Sequence, residues 1–538
     1  MRYTCLGSDT DNQRTHRSTQ APPGSNSLPP TPHSLFIIIF VLILFSCDRS
    51  SNLVVPGARI AFNDPPAPDF SAVSVHDPSV FLSNDNGFYV IGSHLAAART
   101  TDFMQWQQVT RDWNSRPNQF YPVDNPDPSV QKVQAQIDDV MRGRKNALGF
   151  YAGDIHLMPN GKYYHYYCIT SSWYCSAIGL AIADRIEGPY ITQGLIVRSG
   201  EAADDSMTPD GTLRWLVAQH PNCIDPQVFF DRDNKNFYMV YGSWSGGIFI
   251  YELDPATGML KTGSALNAES SGYGRKLIRN NHVSIEGPYI IYSPETGYYY
   301  LFVSYGGLAA NGGYNMRVFR SREPFGPYDD AAHPGQDMGT DLRFNEHFNY
   351  GVKIMGGYKF TPLEGEARQD RTGYLSPGHN SVYYDTDTGR YFLIYHQRFE
   401  LRGEYHEVRV CELFLNEDGW FMAAPFRYDG GTIRVFNRNS ISGTWKLINH
   451  WKANNTTPTR SVEYRFLNNG SITDSDGSVG TWELGSDGKT AHITINDVLY
   501  KGVFLRCYDE DGKVWVQAFT ALSRDGIALW GAGAAAGK

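Results

Sequence analysis

"IEGPYIIYSPETGYYYLFVSYG", residues 285–306, sets an acidic residue, an apolar run, a turn and an aromatic-rich run in that order. Tyr, Ile, Phe and Val on either side of "PETG" read as the two strands of a hairpin. Glu286 then stands at the mouth of the first strand, where a single carboxylate before Gly-Pro would ordinarily be a surface turn residue. Four other stretches repeat the grammar: "HDPSVFLSNDNGFYVIGSH" (76–94), "GDIHLMPNGKYYHYYC" (153–168), "IDPQVFFDRDNKNFYMVYGSW" (224–244) and "GHNSVYYDTDTGRYFLIYHQ" (378–397). The second residue of the five copies is Asp77, Asp154, Asp225, Glu286 and His379, with a shorter hairpin in the Asp154 copy. An internal repeat of this kind points to a repeated β-unit. The expected fold is all-β, a five-bladed β-propeller, whose radial repetition leaves short and protected sheet edges. The inner strand of each blade would run along the central channel, so residues at equivalent strand starts converge on one mouth.

The bulk properties agree. The chain has 538 residues, 41% apolar and 14% aromatic, with 34 Tyr, 29 Phe and 53 Gly, which suits many short strands joined by tight turns. Its length predicts two or three domains. A formal net charge of −9 without a long basic run argues against a nucleic-acid partner. Helical periodicity is confined to "VQKVQAQIDDVMRG" (130–143), inside an insertion around residues 111–150. Beyond the leader, Cys168, Cys175, Cys223, Cys411 and Cys507 are odd in number and never spaced CxxC, so they read as buried thiols.

Three carboxylates at one mouth can share chemistry only if their environments separate their pKa values. Asp77 before Pro78 is expected to be an ionised base that activates water. Glu286, between Ile285 and Gly287-Pro288, is expected in a more apolar setting that raises its pKa and lets it protonate a departing oxygen. Asp225 would hold and tune Glu286. This is the two-carboxylate logic of glycoside hydrolysis, inverting where the two main groups are roughly 6.5–9.5 Å apart. Trp173 in "SSWY" and Trp244 in "YGSWSGG" could pack on sugar faces, with Asn222 and Ser243 as hydrogen-bond partners. His379 could carry a water-coordinated ion or orient the acid. No Walker loop, GxSxG elbow or HExxH supports a rival chemistry.

The motifs "VHDPS", "CIDPQVFFD", "SIEGPYI", "SPGHNSVYYDTDTGRYFLIYHQRF" and "EVRVCELFLNEDGW", in order across about residues 72–430, resemble glycoside hydrolase family 43. The likeness is strongest to its two-domain endo-acting α-1,5-L-arabinanases. The resemblance implies inverting hydrolysis of arabinan and arabino-oligosaccharides, with Asp77 as base, Glu286 as acid and Asp225 as pKa modulator. It also implies a calcium ion in the channel, held mostly by water, with His379 as its single protein ligand. Asn222, Cys223, Ile224, Ser243 and Trp244 match positions that line the sugar site. Cys223 and the shortened "SSWYCSAIG" and "YGSWSGG" loops depart from the family pattern, and the 111–150 insertion would narrow the cleft. Exo-acting arabinofuranosidase, β-xylosidase and a non-catalytic glycan-binding protein are the alternatives. Retention of all three carboxylates weighs against the last.

The ends of the chain differ from its middle. Residues 35–45, "LFIIIFVLILF", followed by Ser46 and Cys47 to give "LFSC" (44–47), resemble an exported leader with a lipidation site, so Cys47 is a candidate membrane anchor. The expected organisation is a leader at 1–46, a linker at 47–71, the propeller at 72–432 and a small β-barrel or sandwich at 433–538. The last reading rests on strand-like segments such as "SVEYRFLNNGSI" (461–472) and "TWELGSDGKTAHITI" (481–495).

Overall fold

The computed structural model describes residues 62–112, 150–172, 175–199, 216–431 and 433–534. The Cys47 leader, the 130–143 helix candidate and Trp173 lie outside the described residues. Five antiparallel sheets form the blades. Their inner strands are Ser79–Leu82, Phe150–Leu157, Gln227–Phe230, Ile285–Ser293 and Tyr374–Asp385. Each packs against the next, and the fifth returns to the first, so the ring closes. The hairpin turns use left-handed residues where the sequence placed Asn or Gly, at Asn86 (φ 60°), Asn234 (φ 55°) and Gly297 (φ 68°).

Two kinds of contact hold the ring together. Apolar clusters fill the space between blades, such as Tyr300, Phe302, Met316, Val318, Leu393 and Phe421 between blades 4 and 5. Each fully buried side chain of this type contributes about 1.5–3 kcal/mol. Side chains near the channel stitch blade to blade. Gln227 accepts from the Ile290 N–H at 3.1 Å, and Ser381 accepts from Val80 N–H (3.0 Å) while donating to the Pro78 carbonyl (2.7 Å). The incoming chain adds a closure, with the Val408 N–H donating to the Val73 carbonyl at 2.9 Å.

After the propeller, eight strands from Gly443–Asn449 to Ala528–Gly533 make a closed antiparallel barrel, which decides between the barrel and sandwich expectations. Trp445, Phe466, Trp482, Phe504 and Phe519 pack its interior. The link between its first two strands returns to the propeller. There Thr459–Arg460 adds a parallel strand to Tyr358–Lys359 of blade 5. Cys168, Cys223, Cys411 and Cys507 are buried free thiols, as their spacing suggested.

Candidate active site

Four of the five repeat residues meet. Asp77, Asp225 and His379 each carry a positive φ, 58°, 59° and 47°; the first two stand just before their inner strands, and His379 stands at a bulge between Gly378 and Ser381 within its strand. Such left-handed backbone costs a residue with a Cβ about 1–2 kcal/mol, which the surrounding ring must supply. In blade 4 the kink falls one residue later, at Gly287 (φ 60°), where a Cβ would lie 3.1 Å from Cγ of His379. A side chain there would have to push the His379 ring aside and accept the left-handed backbone.

Asp154 does not join them. It accepts from Ser79 Oγ at 2.5 Å and from the Val228 N–H at 2.8 Å, so it lies deeper, at the waist of the channel. At the level of Asp77, blade 2 presents Ala152, whose N–H donates to Ser93 Oγ at 3.2 Å. The register that aligned Asp154 with Asp77 is therefore displaced in blade 2. A bulge between Tyr151 and Asp154 accompanies the shift. Blade 2 thus presents Ala152 there in place of a carboxylate.

Asp77 is gripped on both oxygens. Oδ2 accepts from Ser93 Oγ, while Oδ1 faces His76 Nδ1 at 2.7 Å and His379 Nδ1 at 3.1 Å. Burial would raise its pKa, but the charges and hydrogen bonds of His379 and His76 outweigh burial and hold it well below the usual carboxylate range. The backing continues outward. His76 Nε2 lies 3.1 Å from Arg398, and the His76 ring stacks on His396 at 4.0 Å between centroids. The Asp77 N–H donates to His396 Nδ1 at 3.2 Å, so that nitrogen carries the lone pair. Burial depresses the His396 pKa far below its ordinary value and keeps the ring neutral.

Glu286 differs from the expectation of an apolar setting. Ser243 Oγ (2.9 Å) and Trp244 Nε1 (2.8 Å) donate to Oε2, and Tyr314 OH donates to Oε1 at 2.6 Å. Its seat is buried but polar, and Ser243 and Trp244 act on it as hydrogen-bond donors. The Asp225 pKa is pushed up to about 8 by burial and by the charges of Glu286 and Asp77, against the pull of His379. Asp225 also accepts from the Gly287 N–H at 3.2 Å and so braces the backbone that carries Glu286.

The other expected sugar-site residues separate. Asn222 Oδ1 accepts from Ser176 Oγ at 2.7 Å beside the strand start. Ile224 is partly exposed, but Cys223 is fully buried and packs in the core shared by blades 2 and 3. His76, Ser93, Tyr314, His396 and Arg398 were not singled out from the sequence. His76 and His396 lay within quoted motifs, beside Asp77 and in "YHQRF", and adjacency to the base was the available signal.

His76, Asp77 and His396 could together offer a metal three ligand atoms, but their mutual hydrogen bonds already commit them to one another. A calcium ion fits better beside His379. A cavity of about 20 Å³, room for roughly one water, is lined there by Asp77, Asp225, Gln227, His379 and Asn380. Oδ1 of the buried Asn380 lacks a partner, and such an acceptor suits the outward-facing hydrogens of a hydrated hard cation. Burial lowers the His379 pKa, yet Asp77, Asp225 and Glu286 together push it up to about 9. A metal on this ring must displace that proton.

Residues 70–421 match the model of glycosyl hydrolases family 43, and residues 425–531 match its C-terminal lipocalin-like domain. The chain belongs to family 43. It is 45% identical over 473 residues to extracellular endo-α-(1→5)-L-arabinanase 2 of Bacillus subtilis, covering 86% of this chain and 94% of that one. It is 40% identical over 476 residues to the extracellular endo-α-(1→5)-L-arabinanase of Thermotoga petrophila, with the same coverage of 86% and 94%. The crystal structure of the endo-1,5-α-L-arabinanase from Thermotoga petrophila superposes with a TM-score of 0.76 at 39% identity, covering 87% of this chain and all (100%) of the other. Both domains of this family architecture are thus present in one chain.

Proposed function

We propose that the protein is an exported, inverting endo-α-1,5-L-arabinanase that cuts internal linkages of arabinan. The observation that carries the reading is the meeting of Asp77, Asp225 and Glu286 at one channel mouth, in a chain 45% identical to a named endo-arabinanase along most of its length. Asp77, ionised far into acid, takes a proton from the attacking water as the water oxygen bonds to the anomeric carbon. Glu286 delivers a proton to the departing glycosidic oxygen, held in line by Ser243, Trp244 and Tyr314. Asp225, protonated up to about pH 8, keeps a proton beside Glu286 at neutral pH. The atoms balance: one water is consumed, and one new hydroxyl appears on each fragment.

Calcium held through His379 would supply positive charge among the three carboxylates. His379 itself orients Asp77 through Nδ1. The relatives named extracellular support export, and Cys47 is the proposed lipid attachment site. The test is product size against time on linear debranched arabinan, with xylan alongside. Early mid-length oligosaccharides are expected. Arabinose alone would make the enzyme exo-acting, and release from xylan only would overturn the substrate.

A further inference from the structure

One end of the C-terminal barrel is open. A pocket of about 290 Å³ lies at the ends of its strands, lined by Leu447, Trp451, Tyr464, Val498, Tyr500 and others. Around the opening, apolar side chains stand in water. Trp451 is 56% exposed, Val462 56%, Val498 41% and Leu499 43%. Trp451 also has a left-handed backbone (φ 46°), fixed by a hydrogen bond from its N–H to Asn449 Oδ1 at 2.9 Å. Strain at an exposed tryptophan that fills no core needs a reason.

A loop that starts at the pocket reaches blade 4 beside the catalytic residues. Trp451 begins the loop that returns to the propeller. Two residues of that loop bind blade 4. The Lys452 carbonyl accepts from Arg317, and Asn454 Oδ1 accepts from Asn315 Nδ2 at 3.0 Å. Asn455 lies against Gly313, where a Cβ would come within 2.9 Å of its carbonyl oxygen. The next residue is Tyr314, the 2.6 Å donor to Glu286. Pairing of Ile285 with Tyr305, and of Tyr305 with Asn315, puts these blade-4 strand ends level with Glu286. Phe348 is 41% exposed, and its carbonyl accepts from the same Arg317 at 2.6 Å.

We infer that this barrel mouth is a second saccharide-binding site, taking a distal stretch of the same arabinan strand that crosses the propeller mouth. The inference rests on the proposed arabinan reading. The lining supports a neutral sugar, being aromatic and aliphatic with hydroxyl and amide groups at its rim. Asn449 Nδ2 donates to Tyr500 OH at 2.9 Å, and Asn496 also lines the pocket. Its cation, Arg460, is already 3.7 Å from Glu400, so little charge is left to select an ionic ligand. A polymer cut internally extends beyond the catalytic subsites, and tethering it at a second point raises its local concentration at the first.

The test compares full-length wild type with Trp451→Ala and, separately, Val498→Asp, on debranched arabinan and on arabinotriose. Each variant is expected to raise KM for the polymer at least fivefold, leaving kcat on both substrates and KM for the trisaccharide unchanged. Polymer KM within twofold of wild type in both variants overturns the site, as does an equal loss on the trisaccharide. If wild type cleaves neither substrate, the arabinan reading fails by itself. Retardation in a native gel cast with linear arabinan, lost in Trp451→Ala, then still supports the mouth as a glycan site, and no retardation overturns it. A wild-type dimer in sedimentation that Trp451→Ala dissociates would reassign the face to self-association and overturn it too.

Discussion

Asp77 and Asp154 occupy the same place in the repeat and opposite places in the molecule. Asp77 stands on a left-handed backbone at the channel mouth, where His76 and His379 hold its pKa well below the carboxylate range. Asp154 stands in extended strand at the waist, where burial pushes its pKa up to about 7 against the bonds from Ser79 and Val228. One is held ionised by the histidines that face it. The other binds blade 1 to blade 3 and keeps its proton through the acid range. A carboxylate in register is therefore a candidate for chemistry only when its backbone turns it toward the mouth and its neighbours carry positive charge.

The sharpest way to break this contrast is to remove the mouth groups. Glu286→Gln or Asp77→Asn is expected to lower kcat on arabinan by about a thousandfold, with the melting temperature little changed. Near-normal turnover in either variant would remove that residue from its role. Removal of metal by a chelator is expected to lower the rate by about tenfold and to be reversed by calcium. Full activity in a metal-free sample would leave His379 with orientation of Asp77 alone.

The waist behaves in the opposite way. Asp154→Ala leaves the Val228 N–H and the Ser79 hydroxyl without their acceptor, which is expected to cost about 2–4 kcal/mol of stability. The folded variant should keep its kcat, and a thousandfold loss there would return Asp154 to the mouth. The smallest effect is one of pH. The folded state holds the Asp154 proton to about 7, whereas an unfolded aspartate loses it near ~3.9. Between those values the unfolded chain binds fewer protons, so the Asp154 contribution to stability falls as pH rises. Chemical-denaturation midpoints measured from pH 4 to 8 should lose this component in Asp154→Asn. An identical slope in both proteins would place the proton elsewhere.

Much of this was legible before any coordinates. Period-two runs closed by "NDNG", "PETG" and "DTDTG" specify hairpins because side-chain alternation and turn chemistry are local properties. Asp77, Asp225, Glu286 and His379 were aligned because four blades keep a closely similar spacing from kink to hairpin, from Asp77 to Asn86, Asp225 to Asn234, His379 to Gly389 and Gly287 to Gly297. Asp154 was misplaced because the bulge after Tyr151 changes that spacing without changing the residue pattern. Ile285 and Pro288 suggested an apolar seat for Glu286, yet its three donors come from Ser243, Trp244 and Tyr314, far from it in the chain. Cys223 read as a sugar contact by position, and the segment that leads into the Gln227–Phe230 strand sends it into the core.

The sequence by itself determined the all-β repeat, the family and the residues able to do acid–base chemistry, since these depend on local pattern and side-chain identity. Tertiary structure alone decided which carboxylate reaches the mouth, which one keeps a proton, and that the barrel lays the loop after Trp451 beside Tyr314. Burial, electrostatic shift and proximity are sums over groups far apart in the chain, and such sums exist only once the ring has closed.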